Sequence, residues 1–304
     1  MRSQRKMTFG HLLSAATIII WGTTFVSTKI LLTDFLPIEI LFFRFTLGFV
    51  FLLLLYPYPV KSKSWSEELL FVAAGLCGVT LYFLLENVAL TYTLAANVGV
   101  IVSIVPFFTA VLAHFLLKDE PLTGPFIAGF GIALTGIAFI MFNGRFLLQV
   151  HPIGDLLALL ASAVWAVYSV IMRKISELKH PTIGATRKVF FYGLLFMLPL
   201  LRPFEFKFGM QRFLDLSILA NFLFLGLGAS ALCFVTWNLA VGILGAVKTS
   251  VYIYIVPVIT VAASALFLHE EITWATIIGT LLALVGSYIS ERKPAPKLNE
   301  CNRT

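Results

Sequence analysis

Residues 103–123 read SIVPFFTAVLAHFLLKDEPLT, a mostly apolar run with a proline near its start that breaks into Lys118, Asp119 and Glu120. Residues 254–274 read YIVPVITVAASALFLHEEITW, where apolar run, proline and charged break return in the same order. An offset of 151 aligns Pro106 with Pro257, Thr109 with Thr260, Leu117 with Leu268, Asp119 with Glu270 and Glu120 with Glu271. A chain that writes one segment twice is expected to have written others twice.

The duplication extends outward from that stretch. An offset of 144 brings Trp21 onto Trp165, Lys29 onto Arg173, Pro37 onto Pro181 and Arg44 onto Lys188. An offset of 151 brings Gly75 onto Gly226, Phe83 onto Phe234 and Asn87 onto Asn238, and 150 brings Gly129 onto Gly279 and Gly136 onto Gly286. The offset changes only between apolar runs, where insertions are tolerated.

Those runs set the class. With 59% hydrophobic and 12% charged residues the chain lies far from the soluble balance of about a quarter charged. Ten runs, at 11–31, 36–57, 69–90, 95–117, 122–142, 153–174, 183–201, 214–240, 245–268 and 273–290, approach the ~20 residues that cross a hydrocarbon core. The expectation is an all-α membrane protein of ten transmembrane helices. The basic, apolar N-terminus reads as a retained helix, not a cleaved signal. Of the three cysteines, Cys77 and Cys233 fall in spans, so no disulfide framework is indicated.

The net charge of +7 sorts by side. With the N-terminus inside, thirteen Lys and Arg fall in cytoplasmic segments and four, Arg145, Arg202, Lys207 and Arg212, in outer ones. By the positive-inside rule both termini are cytoplasmic. The basic ends then contact anionic lipid, and no nucleic-acid partner is called for.

Five spans per half is an odd number, so the second half enters the membrane from the opposite side. The expected domains are a first repeat at 8–144, an inverted second repeat at 150–291 and a basic cytoplasmic tail at 292–304. Two inverted five-helix repeats around a central cavity are a plan of secondary transporters.

The motifs WGTTFVSTK (21–29), LPIEILFFRF (36–45), the duplicated proline segments, and the glycine spans GFGIALTG (129–136) and GTLLALVG (279–286) resemble EamA-type members of the drug/metabolite transporter superfamily. The resemblance covers about residues 8–291 and implies a ten-helix carrier of the bacterial inner membrane, usually an exporter of amino acids, metabolites or toxic compounds. It also implies a cavity lined by spans 1, 3, 4, 6, 8 and 9, with 5 and 10 peripheral.

Individual residues suggest the site. Glu86 is the one carboxylate well inside a span; it either carries a coupling proton, binds an ammonium group or pairs with Arg44 in the same outer third. Lys248, aligned with Asn97, either meets a substrate anion or snorkels. Lys29 and Arg173, near opposite surfaces, snorkel or form a gating pair. Trp21, Thr24, Tyr82, Trp165, Tyr168, Trp237 and Tyr252 carry ring or hydroxyl groups that lipid does not satisfy, and with Asn97 and Asn238 they are candidates for a cavity wall that stacks on an aromatic or cationic substrate. Pro106 and Pro257 interrupt their helices and serve as hinges or as fixed shape. The glycines of spans 5 and 10 pack within one subunit, or form the seam of a homodimer.

HEEIT at 269–273 lacks the second histidine of H-E-x-x-H, so no metal is assigned; like KDEPL at 118–122 it reads as an acidic cap on the next span. No cofactor motif appears. An intramembrane enzyme needs a buried catalytic pair or metal cluster, and none is found. The expected function is a secondary carrier exporting a small amphipathic metabolite, with a facilitator lacking proton coupling as the alternative.

Overall fold

A computed structural model describes residues 2–93, 95–117, 120, 122–142, 152–268 and 274–290, and all regular structure within them is helical. The helices are α1 (Arg2–Leu31), α2 (Pro37–Leu55), α3 (Trp65–Tyr92), α4 (Ala95–Val102), α5 (Val105–Leu116), α6 (Gly124–Phe142), α7 (Pro152–Glu177), α8 (Thr182–Leu201), α9 (Leu216–Leu244), α10 (Ala246–Val251), α11 (Val256–Leu268) and α12 (Trp274–Ser290). Single turns of 3₁₀-helix at Met210–Leu214 and Tyr252–Ile255 precede α9 and α11. The tail at 292–304 and the HEEIT turn lie outside the described residues, as do Lys118, Asp119 and His151.

Among the described residues seven helical stretches are long and apolar enough to cross a membrane. The remaining apolar runs give shorter helices, with Val105–Leu116 cut off by a break at Ser103 and Ile104. That break corrects the reading of Pro106 as a kink inside a continuous helix. Pro106 is the second residue of α5, where its missing N–H falls among donors that a helix start leaves unpaired anyway, whereas Pro257 stays within the helical stretch Ala246–Phe267, just past its 3₁₀ turn.

Local chemistry fixes other boundaries. Ser64 accepts from the Glu67 N–H at 3.2 Å to start α3, and Asp215 accepts from Ser217 at 2.7 Å to start α9. Gly245, at φ +94°, ends α9 in a conformation that side chains disfavour. The Glu120 carboxylate then accepts from the N–H groups of Ala246 at 2.8 Å and Val247 at 2.6 Å. The expected acidic cap therefore exists on α10 and not on the helix that follows Glu120, which begins with Thr123 accepting from Phe126.

Connections gather at two opposite ends of the bundle. At one end Lys29 donates to the carbonyls of Leu90 at 2.6 Å and Thr93 at 3.3 Å, and Arg212 grips Glu39 through both carboxylate oxygens. At the other, Arg173 lies 3.5 Å from Glu120 and donates to the Gly242 carbonyl, while Arg187 donates to the Tyr58 carbonyl at 2.9 Å. Lys29 and Arg173 thus lie at opposite ends and do not meet each other; each binds carbonyls at or near another helix's C-terminus, which attracts cations.

Glycine lets helices approach where side chains would collide. A Cβ on Gly136 would lie 2.5 Å from the Gly279 carbonyl, and one on Gly129 would lie 2.5 Å from that of Gly286, so α6 and α12 pack backbone to backbone within one chain. α3 and α9 each widen into π-helix, at Leu76–Leu81 and Phe224–Leu232. The outer surface is apolar, with Leu54, Phe115, Leu216 and Leu266 each at least 70% exposed, as lipid contact requires.

Candidate functional site

The centre of the bundle is a stack of aromatic rings. Phe45 meets Phe83 at 5.0 Å and Phe190 at 4.9 Å between ring centres, and Phe190 meets Phe234 at 5.1 Å. Trp21 sits 5.2 Å from Trp165 and 5.0 Å from Trp237, and Tyr82 sits 4.6 Å from Trp165. Such offset and edge-on pairs are favourable beyond the area they bury.

Beside this stack lies a cavity of about 30 Å³. Trp21, Thr24 and Phe25 of α1 line it with Arg44 of α2 and with Tyr82, Phe83 and Glu86 of α3. Val102, Trp165, Ile253 and Val256 complete the wall. A water needs about 10–15 Å³ on this measure, so the space holds roughly two waters. The lining differs from the expectation in using α2 and in lacking α9, whose Trp237 lies one ring behind Trp21.

Two opposite charges face this cavity from inside the bundle. Arg44 is 1% exposed and Glu86 2%. The Arg44 Nε donates to Ser230 Oγ at 3.0 Å, and the guanidinium carbon sits 4.4 Å from the centre of the Phe83 ring. Its Nη1 has no hydrogen-bond partner. Glu86 interacts with the Tyr82 hydroxyl one turn before it. Among the described residues no ion pair within 4.0 Å joins Arg44 to Glu86, so the direct pair read from topology is not formed. The two still attract each other across the cavity, while Ser230 and the Phe83 face hold the guanidinium.

The other candidate residues separate into wall and support. Trp21, Thr24, Tyr82, Trp165 and Glu86 reach the cavity. Tyr168 and Asn238 stand behind it: the Tyr168 hydroxyl donates to Asn238 Oδ1 at 3.0 Å, and Asn238 Nδ2 donates to Thr186 Oγ1 at 3.0 Å. Tyr252 pairs its hydroxyl with His11 Nδ1 at 2.7 Å. Lys248 is half-buried in α10, away from the wall, and the Asn97 side chain lies outside the described part of the molecule. Sequence reading did not single out Phe25, Val102, Ile253 or Val256, which carry no polar group to mark them. It took Arg44 only as a partner for Glu86.

Apolar-clad helices enclosing a charged, aromatic cavity define a multi-pass membrane protein. The EamA-like transporter family profile matches residues 8–142 and again 152–291, and the chain belongs to that family. It is 28% identical to an uncharacterized transporter of Archaeoglobus fulgidus, over 93% of this chain and 97% of that one. It is 23% identical to a protein of Streptantibioticus cattleyicolor named "Probable terminal-alkyne amino-acid exporter", over 94% of each. It is also 23% identical to one of Escherichia coli named "Probable amino-acid metabolite efflux pump", over 91% of this chain and 93% of that one. A solved crystal structure shares the fold at a TM-score of 0.71 and 21% identity, covering 93% of this chain and 97% of that one.

Proposed function

We propose that this chain is a secondary transporter that exports a small amphipathic metabolite, an amino acid or an aromatic or cationic compound, from a bacterial cytoplasm. It acts as ten membrane spans in two inverted five-span repeats, 8–144 and 150–291, with both termini and the 292–304 tail cytoplasmic, as monomer or homodimer. Access to the cavity alternates between the two sides, with Pro106 and Pro257 as hinges and Glu86 carrying the coupling charge.

The cavity is the observation that carries this reading: a buried carboxylate, a buried guanidinium and aromatic rings converge between helices that come from both matched segments. Buried charge of this kind is costly in a membrane and is kept where something polar passes. The double family match supports the repeat. So do Pro106 and Pro257, 151 positions apart, each just after a departure from regular α-helix. The two relatives whose names mention amino acids support the substrate range.

The test is uptake of a mixed pool of labelled amino acids and aromatic compounds by proteoliposomes, with and without an imposed pH gradient. Uptake driven by the gradient and lost in Glu86→Gln is expected. Unchanged transport and pH dependence in Glu86→Gln would remove the coupling role, and uptake that only equilibrates would make the protein a facilitator.

A further inference from the structure

We propose that Arg44 and Glu86 form a two-point site for a zwitterion: the carboxylate of an α-amino acid meets the Arg44 guanidinium, its ammonium meets Glu86, and its side chain lies against the aromatic wall. This rests on the transport reading above and narrows its substrate class.

The argument starts from the charges. Arg44 and Glu86 are both almost fully buried, line the same cavity and do not close on each other. A buried ion pair is stable only when geometry is good and remaining donors and acceptors are met; removing one partner leaves a costly naked charge. Here the guanidinium spends Nε on Ser230 and keeps Nη1 unpartnered. A ligand with only a cation would serve Glu86 and leave Arg44 facing uncompensated charge, and one with only an anion would do the reverse. A zwitterion serves both and adds no net charge to a dry site. The planar fork of arginine suits a carboxylate in particular.

The rest of the wall selects the side chain. Trp21, Phe25, Tyr82 and Trp165 offer rings, and Val102 and Val256 offer aliphatic surface, so apolar and aromatic side chains fit best. The cavity as it stands is too small for such a ligand, so binding must widen it.

The test is calorimetric binding to the purified full chain. The probes are L-phenylalanine and L-leucine, each with its decarboxylated amine and its deaminated acid. A charged hydrogen-bonded contact is worth about tenfold in affinity or more, so each amino acid is expected to bind at least about tenfold tighter than either analogue. Glu86→Gln should erase the advantage over the acid, and Arg44→Gln the advantage over the amine. Where a neutral variant fails to fold, Glu86→Asp and Arg44→Lys replace it, and both should weaken the amino acid while keeping it ahead of its analogues. Amines binding as well as the amino acids, or neither amino acid binding while proteoliposomes move other compounds, would overturn the zwitterion site and leave the transporter standing. Proteoliposomes that move nothing would overturn both.

Discussion

Trp21 and Trp165, 144 residues apart in the chain, meet edge to face with ring centres 5.2 Å apart in the wall of the central cavity. The pair is equivalent in sequence and unequal in bonding. The Trp21 Nε1 donates to the Ala229 carbonyl at 2.9 Å, tying α1 to α9, whereas the Trp165 Nε1 has no partner. Trp21→Phe should therefore cost about 1 kcal/mol more than Trp165→Phe, the worth of the extra hydrogen bond. Thermal unfolding of the two variants in the same detergent measures the difference; equal losses would contradict the assignment.

Asn238 supports the wall from behind by holding two buried hydroxyls at once. Asn238→Leu leaves Tyr168 and Thr186 unsatisfied, at about 1–3 kcal/mol for each. Adding Tyr168→Phe removes one stranded hydroxyl, so the double variant should be more stable than Asn238→Leu alone. A double-mutant cycle on melting temperatures reads that coupling, and simple additivity would refute it.

The glycine contact between α6 and α12 predicts a position-specific effect. Gly136→Leu drives a side chain into the backbone at Gly279 and Ala283, a collision expected to cost about 1–3 kcal/mol or more. Gly131 has nothing within 4 Å of its would-be Cβ, so Gly131→Ala should leave stability unchanged or slightly raised. Comparing aggregation temperatures of the two variants separates packing from helix propensity.

At the break between α9 and α10, one carboxylate holds two backbone donors. Removing it in Glu120→Ala strands the Ala246 and Val247 N–H groups and loses one of Arg173's two ion pairs, for about 1–3 kcal/mol locally. Hydrogen exchange across 245–251 should accelerate in the variant while the core of α3 stays protected. Gly245→Ala should act in the same direction, because φ +94° strains any side chain and its Cβ would approach Glu120 Oε1 to 2.8 Å.

Sequence reading reached the all-helical membrane class, the family and five of the cavity residues, because apolar run length and the 144–151 offsets are visible in one dimension. Trp21 and Trp165 were legible as equivalents, and Glu86 stood out because a carboxylate inside an apolar run is rare. The role of Asn238 was not legible, since an amide that faces a cavity and one that braces its wall look alike in a sequence. Glu120 was assigned the right chemistry and the wrong helix: capping was inferred for the next residues along, whereas α10 comes to it from 126 residues away. The break before Pro106 was hidden for a related reason. Proline shows that a helical hydrogen bond is missing but not whether the helix bends through the gap or restarts after it.

The cavity that holds about two waters has a bearing on the membrane around it. Protons and small ions cross proteins along unbroken files of water, and room for about two molecules beside Arg44, Glu86 and the aromatic wall is too short for such a file. By itself this cavity offers an ion no continuous wet path from one face of the bundle to the other.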